Sequence, residues 1–286
     1  MVSFKFHRSV HAFFHHIVDR TTPGAMHLPP RGVFPRRLAL KSGTALLMLA
    51  ALTMPAAAQT LVVAADSSLD EALQAVARDF ERGRPGVSVT LRTGAAGALL
   101  QQVAGGTATD VLTSDDAQTA ESGVRRRLLV SDLRSAFASN TLVLVTPAAL
   151  NLPLQRLVDL GRPEIVRIAM GDTPAVPAGR YAREAINAQR MWPQVQRKVV
   201  PADDVRAVLG LVARAEVEAG FVYASDARVA GPRVRVVETL PTTTPIRYVA
   251  NVVASSSQTE LARAFIDHLR SDAAQAVFKR EGFGPP

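Results

Sequence analysis

From Leu61 onward the chain alternates short apolar runs with stretches whose apolar residues recur at helical spacing. Leu61-Val-Val-Ala-Ala65 is followed by Leu69, Leu73, Val76, Ala77 and Phe80, which predicts a strand feeding an amphipathic helix. Runs at Val87–Leu91, Asp110–Thr113, Thr141–Val145, Arg167–Met170, Lys198–Val200 and Ala219–Tyr223 predict further strands. Helical spacing returns around Ala98–Ala104, at Tyr181, Ala185, Ala188 and Trp192, at Val205, Val208, Leu209 and Val212, and over Glu260–Leu269. Such alternation predicts an α/β fold with largely parallel sheets. Some 228 residues from Gln59 to Pro286 are long for one sheet of this kind and comfortable for two.

The first 58 residues follow a different rule. Arg36, Arg37 and Lys41 precede an apolar run, Thr44–Met54, and then Pro55-Ala-Ala-Ala58. A basic flank, a short apolar stretch and small residues predict a secretory signal peptide cleaved before Gln59, with Met26 as a second candidate start. Arg36-Arg37 also fits the twin-arginine export signal, beside the general secretory route. The expected destination is the periplasm. The leader also accounts for most of the formal charge of +8: it holds seven of the 33 Lys/Arg but one acid, Asp19, leaving 26 basic and 24 acidic residues after it. A near-neutral mature chain gives no electrostatic argument for nucleic acid.

Chemistry is narrowed further by what the mature chain lacks. It contains no cysteine and a single histidine, His268, so thiol catalysis, disulfides and Cys/His zinc sites are absent. His268 borders the apolar stripe of Glu260–Leu269, three residues after Phe265, which predicts packing rather than base catalysis.

Three strand-to-helix turns remain as candidate sites. Ile168-Ala-Met-Gly-Asp-Thr-Pro-Ala-Val-Pro-Ala-Gly179 carries no catalytic side chain at its tip, and a helix beginning near Ala178 would present free backbone N–H groups and the positive end of its dipole. Ala64-Ala-Asp-Ser-Ser68-Leu-Asp-Glu71 reads either as Ser68 capping a helix with Glu71 as its capping-box partner, or as a hydroxyl placed for an oxyanion. In Arg92-Thr-Gly-Ala-Ala-Gly97, two glycines permit close backbone approach or simply make a turn. Asp203-Asp204 before Val205 suits another helix N-terminus, and Tyr223 ends a strand with a phenol that either packs or donates. Arg125-Arg-Arg127 reads as a solvated face.

Taken together these segments resemble the periplasmic molybdate-binding proteins of ABC importers over about Leu61–Phe283. The resemblance rests on Ile168-Ala-Met-Gly-Asp with Val176-Pro-Ala-Gly and Tyr181-Ala, on Pro201-Ala-Asp-Asp-Val205-Arg-Ala, and on Gly220-Phe-Val-Tyr-Ala-Ser-Asp226. Asn140-Thr-Leu-Val-Leu-Val145 and Phe278-Lys-Arg-Glu-Gly-Phe283 also fit.

The resemblance implies a two-lobed, hinged α/β binding protein, monomeric and without catalysis or cofactor, that closes over molybdate or tungstate and serves an ABC permease and its ATPase. Lobe one would comprise 59–138 plus 247–286, and lobe two 139–246. Ligand contacts would fall at Ser68, Ala96, Ala178, Val205 and Tyr223, with molybdenum met only as its oxyanion. Ala96 stands where the family has a serine, so one hydroxyl donor is missing there, with Thr93 or a water as the substitute. Asp66 must point away if an anion is to sit beside Ser68. Two other readings stay open: a binder of another oxyanion or a small organic acid, and an exported serine hydrolase using Ser68.

Overall fold

The computed structural model describes residues 58–286. The segment read as a leader, with Met26 and Arg36-Arg37, lies outside the described residues.

Ten strands form two five-stranded sheets among these residues. In the first, β1 (Gln59–Asp66) pairs in parallel with β2 (Val87–Gly94) and β3 (Val111–Ser114). On its other side, β10 (Ile246–Val253) runs antiparallel to both β3 and β4 (Leu129–Asn140). The second sheet repeats the scheme. Its strand β6 (Ile168–Gly171) pairs in parallel with β7 (Val199–Ala202) and β8 (Ala219–Tyr223), while β5 (Leu142–Pro147) runs antiparallel to β8 and to β9 (Val234–Leu240).

The sheets are therefore mixed, parallel where helices cross over and antiparallel where the chain changes sheet. The cause is the route of the chain. It leaves the first sheet at the end of β4, enters the second at β5 with only Thr141 between, and returns from β9 to β10 across residues 241–245. Parallel strands need crossover connections, and β5 and β10 arrive without one. The three parallel strands of each sheet and β5 coincide with the apolar runs predicted from the sequence; β4, β9 and β10 do not. The alternation in β4 buries few of its positions, so its pattern is weak.

Strands β3, β5, β6 and β8 are buried along their whole length and β1 over its second half. Leu61, Val63, Ala64 and Ala65 of β1 and all five residues of β8 lie inside, as expected for strands covered by helices on both faces. Helix α1 (Asp70–Arg82) places Leu73, Val76 and Phe80 against the first sheet, where Phe80 meets Phe265 of α8 (Thr259–His268) edge to face at 5.1 Å. Helix α9 (Asp272–Arg280) brings Phe278 to 5.2 Å from Phe137 of β4. The other helices are α2 (Ala96–Ala104), α3 (Ala117–Arg125), α4 (Pro177–Ala188), α5 (Trp192–Val195), α6 (Val205–Ala213) and α7 (Ala224–Ala230).

Candidate functional site

The C-terminal ends of parallel strands from the two sheets meet, Tyr223 after β8 touching Asp115 after β3 and Arg206 of α6 touching Glu71 of α1, and all five candidate residues begin or precede helices there. Pro177 occupies the first position of α4, where a missing N–H is harmless and its fixed φ suits the helix. Ala178 follows it, buried. The first turn packs so tightly on β6 that a Cβ at Gly179 would lie 2.0 Å from the Gly171 carbonyl oxygen. Only glycine fits, and this close approach fixes the position of the Ala178 amide.

Val205 is the first residue of α6, capped by Asp204, whose carboxylate accepts from Ala207 N at 2.9 Å. Ala96 is the first residue of α2, fully buried, with no side-chain cap from Ala95. At these positions of a helix no intrahelical acceptor exists, so each amide is available to a ligand. Thr93, the nearest hydroxyl in this turn, is exposed where Ala96 is buried.

The turn around Ser68 corrects two expectations. Residues Ser67–Leu69 form a short 3-10 helix capped by Asp66, not by Ser68: the Asp66 carboxylate accepts from Ser68 N at 3.0 Å and from Ser68 Oγ at 2.5 Å. Asp66 thus points into the turn rather than away from it. Glu71 is no capping-box partner either; it pairs with Arg206 of α6, whose Nη1 lies 2.9 Å from Glu71 Oε1.

Because the Ser68 hydroxyl proton goes to Asp66, Tyr248 of β10 must be the donor in its 2.8 Å contact with Ser68 Oγ. Asn140 Nδ2 donates in turn to the Tyr248 hydroxyl at 3.2 Å. Ser67 Oγ is buried and has no partner in the protein.

Tyr223 is fully buried at the end of β8, and its hydroxyl donates to Asp115 Oδ2 from the other sheet. The second oxygen, Asp115 Oδ1, is buried without a partner. Burial raises the pKa of both carboxyls. Asp66 is pushed up to about 6, mainly by desolvation and in spite of the hydrogen bonds from Ser68. Asp115 is held well above the ordinary carboxylate range by desolvation and by the charges of Asp66 and Asp116. Desolvation likewise raises the Tyr223 and Tyr248 phenols.

Contacts between the two sheets' loops surround this cluster. Arg206 Nη2 donates to the Ser68 carbonyl at 3.3 Å, while its Nε lies 3.0 Å from Asp226 Oδ1. Desolvation moves Asp226 up to about 7, against the pull of Arg206. Arg180 of α4 pairs with Asp116, and its Nη2 donates to Thr119 Oγ1 at 3.2 Å. Gly97 N donates to the Ala175 carbonyl at 3.1 Å, and a Cβ at Gly97 would sit 2.6 Å from that oxygen. A groove of about 320 Å³, lined by Gly97, Gln101, Thr119, Pro174, Ala175 and Arg180, opens beside this contact.

Ser68 and Tyr223 are therefore joined through Tyr248, whose ring lies 6.1 Å from that of Tyr223, and Ser68 meets α6 through Arg206. Tyr248, Asp115 and Arg206 were not among the candidates read from the sequence. Asp115-Asp116 before a helix was a visible signal, and Arg206 adjoins Val205; Tyr248 stood on a strand that the pattern did not reveal.

His268 lies elsewhere. Its Nε2 is 3.2 Å from Asp79 Oδ2 and its ring 5.4 Å from Phe80, with a pKa lowered chiefly by desolvation. It packs, and it makes no pair with Ser68, whose side-chain partners are Asp66 and Tyr248.

Comparisons with known proteins agree with this architecture. The model of a family described as bacterial extracellular solute-binding protein matches residues 61–284. The molybdate-binding protein ModA of Haemophilus influenzae is 32% identical over 85% of this chain and 97% of its own length. The protein of the same name from Escherichia coli is 33% identical over 78% and 88%. Among solved structures, the substrate-binding domain of a putative molybdenum ABC transporter from Clostridium difficile superposes with a TM-score of 0.61 at 30% identity, covering 79% of this chain and 99% of that one.

Proposed function

The chain belongs to the bacterial extracellular solute-binding proteins, and from that premise we propose that it captures molybdate, with tungstate as an alternative cargo, and delivers it to the permease and ATPase of an ABC importer. What supports the reading is that Ala96, Ala178 and Val205 lie in the first turns of three helices, while Arg206 of α6 reaches the Ser68 turn, Gly97 of α2 meets Ala175 before α4, and Tyr223 reaches Asp115 after β3. Neutral dipoles of this kind hold a dianion by hydrogen bonds from backbone and hydroxyl groups, and cavity size selects among anions of one charge. The residues meet the oxygen atoms of the anion and never its central atom. Relatives of 32% and 33% identity named for molybdate binding support the choice of anion.

The mechanism is closure. The lobe bounds expected at 138/139 and 246/247 move slightly, because β4 runs to Asn140 and β10 begins at Ile246: residues 59–140 with 246–286 form one lobe and 142–240 the other, joined by the β4–β5 and β9–β10 passages. Ser68 and Ala96 stand on one lobe; Ala178, Val205 and Tyr223 stand on the other. Ligand bound to both stabilises the closed state, to which the Arg206–Glu71, Arg180–Asp116 and Gly97–Ala175 contacts belong. No catalytic step is required, and a monomer exported to the periplasm suffices.

Calorimetric titration of residues 59–286 with molybdate, tungstate, sulfate and phosphate tests the reading. Micromolar or tighter binding of molybdate, with or without tungstate, is expected. Silence towards both at every pH between 6 and 8 refutes it.

A further inference from the structure

The donors assigned to the anion are already engaged by carboxylates of the chain itself. Both Ser68 donors, N and Oγ, go to Asp66, and the Tyr223 hydroxyl goes to Asp115. An oxyanion reaching these donors must displace two carboxylates that cannot leave for water, since Asp66 is 2% exposed and Asp115 1%. A dianion beside two ionised buried carboxylates would also meet strong repulsion.

We propose that Asp66 and Asp115 are specificity-determining residues of this site, acting as built-in competitors for the Ser68 and Tyr223 donors, so that an oxyanion binds only with uptake of protons by these carboxyls. The inference rests on the oxyanion reading above and adds a rule of admission to it. The protons come from solvent, one for each carboxylate displaced. A protonated carboxyl no longer needs the Ser68 or Tyr223 proton and can itself donate to the anion, as the unpartnered Asp115 Oδ1 is free to do.

The charges facing the pair do not offset this repulsion. From α3, Asp116 adds a further carboxylate next to Asp115, although Arg180 of α4 pairs with it. From α6, Asp204 raises Asp66 while Arg206 lowers it only weakly, because Arg206 is shared with Glu71 and Asp226. From α7, Asp226, itself pushed up to about 7 by burial, is a further carboxyl that feels the charge of Asp66. Tyr223, Tyr248 and Tyr181 are neutral phenols whose pKa values burial raises. Among the described residues no third acid or histidine is arranged with the pair to hold a metal cation.

The sign follows from linkage. Where the carboxyls are ionised in the free protein and protonated in the complex, affinity falls as pH rises, by about ten-fold per pH unit for each proton taken up. The fall sets in above about 6, where Asp66 loses its proton.

The test is calorimetric titration of the mature chain with sodium molybdate at pH 6, 7 and 8, each in two buffers of different ionisation enthalpy. Expected are a weakening of at least ten-fold from pH 6 to 8 and a buffer-dependent heat that reports net uptake of one to two protons. Asp66→Asn and Asp115→Asn, with folding checked by circular dichroism, should flatten the profile and tighten binding at pH 8. Tight binding that is independent of pH and buffer overturns the inference and leaves the molybdate reading standing. Binding by the double variant alone, with wild type silent from pH 6 to 8, overturns both. Silence of wild type and double variant towards molybdate at every pH overturns both.

Discussion

On the oxyanion reading proposed above, the two walls of the cleft would hold an anion in opposite ways. On the wall built by the second sheet, Ala178 and Val205 offer backbone amides fixed by helix geometry, and Gly179 leaves α4 no room to shift against Gly171. On the wall built by the first sheet, the Ser68 donors are tied to Asp66, and Asp115 reaches across to hold Tyr223. The Ala178 and Val205 amides are open to an acceptor at any pH; the Ser68 and Tyr223 donors answer only when Asp66 and Asp115 give way. Affinity should come from the first and selectivity from the second.

The sharpest way to break this contrast is to delete a backbone donor from the open wall. Val205→Pro does so with little harm to α6, because proline suits the first helical position and Asp204 is already extended at φ −157° and ψ 176°. Losing a hydrogen bond to a charged group of about 1.5 to 3 kcal/mol should weaken molybdate binding by roughly ten- to hundred-fold. Titration of the variant checks this; unchanged affinity would remove Val205 from the site.

Tyr223→Phe comes next and acts where Asp115, beside the first sheet, reaches across to the second. It deletes one donor and also removes the hydrogen bond that favours ionised Asp115, so Asp115 keeps its proton to higher pH and the expected loss, about ten-fold or more at pH 6, is smaller at pH 8. Equal losses at the two pH values would separate Tyr223 from Asp115. In the reverse direction, Ala96→Ser restores a hydroxyl at the start of α2 and should tighten binding by about ten-fold. No change, or weakening, would argue against Ala96 as a ligand contact.

A smaller effect concerns the protein without ligand. A carboxyl whose folded pKa is raised binds its proton more tightly folded than unfolded, so stability is greatest below the unfolded pKa near 4 and declines as pH rises through the folded value. For Asp66, at about 6, the decline is on the order of 3 kcal/mol. Asp226, up to about 7, adds to it. His268, lowered by desolvation, opposes the trend over the same range, because its neutral form is the folded one. Melting temperatures of the ligand-free chain should therefore fall by several degrees from pH 5 to 8, and Asp66→Asn should reduce that fall. A melting temperature that rises over this range would contradict the buried-carboxylate account.

The contrast between the walls also explains how far the sequence could be read. Helix N-termini are local: Pro177-Ala-Gly179 and Asp204-Val205 announce themselves by residues within one turn, and the structure finds α4 and α6 starting there. The parallel strands were legible because burial on both faces makes them continuous apolar runs. Ser68 was legible as a hydroxyl at a turn, but which side chain took its proton depended on Asp66, two residues away, turning inward. Tyr248 and Asp115 reach the site from 180 and 47 residues beyond Ser68, through pairings of β10 and β3 that no local pattern encodes. Positioned donors were visible in the sequence; the acceptors that compete for them required the fold.

The central claim, that an oxyanion sits between these walls, is tested most directly by a crystal structure of residues 59–286 grown with molybdate at pH 6, with diffraction recorded at the molybdenum absorption edge. The account predicts one strong anomalous peak within hydrogen-bonded reach of Ser68, Ala96, Ala178, Val205 and Tyr223, with Asp66 and Asp115 no longer accepting from Ser68 and Tyr223. A peak elsewhere, or none in the cleft of a closed molecule, would contradict it.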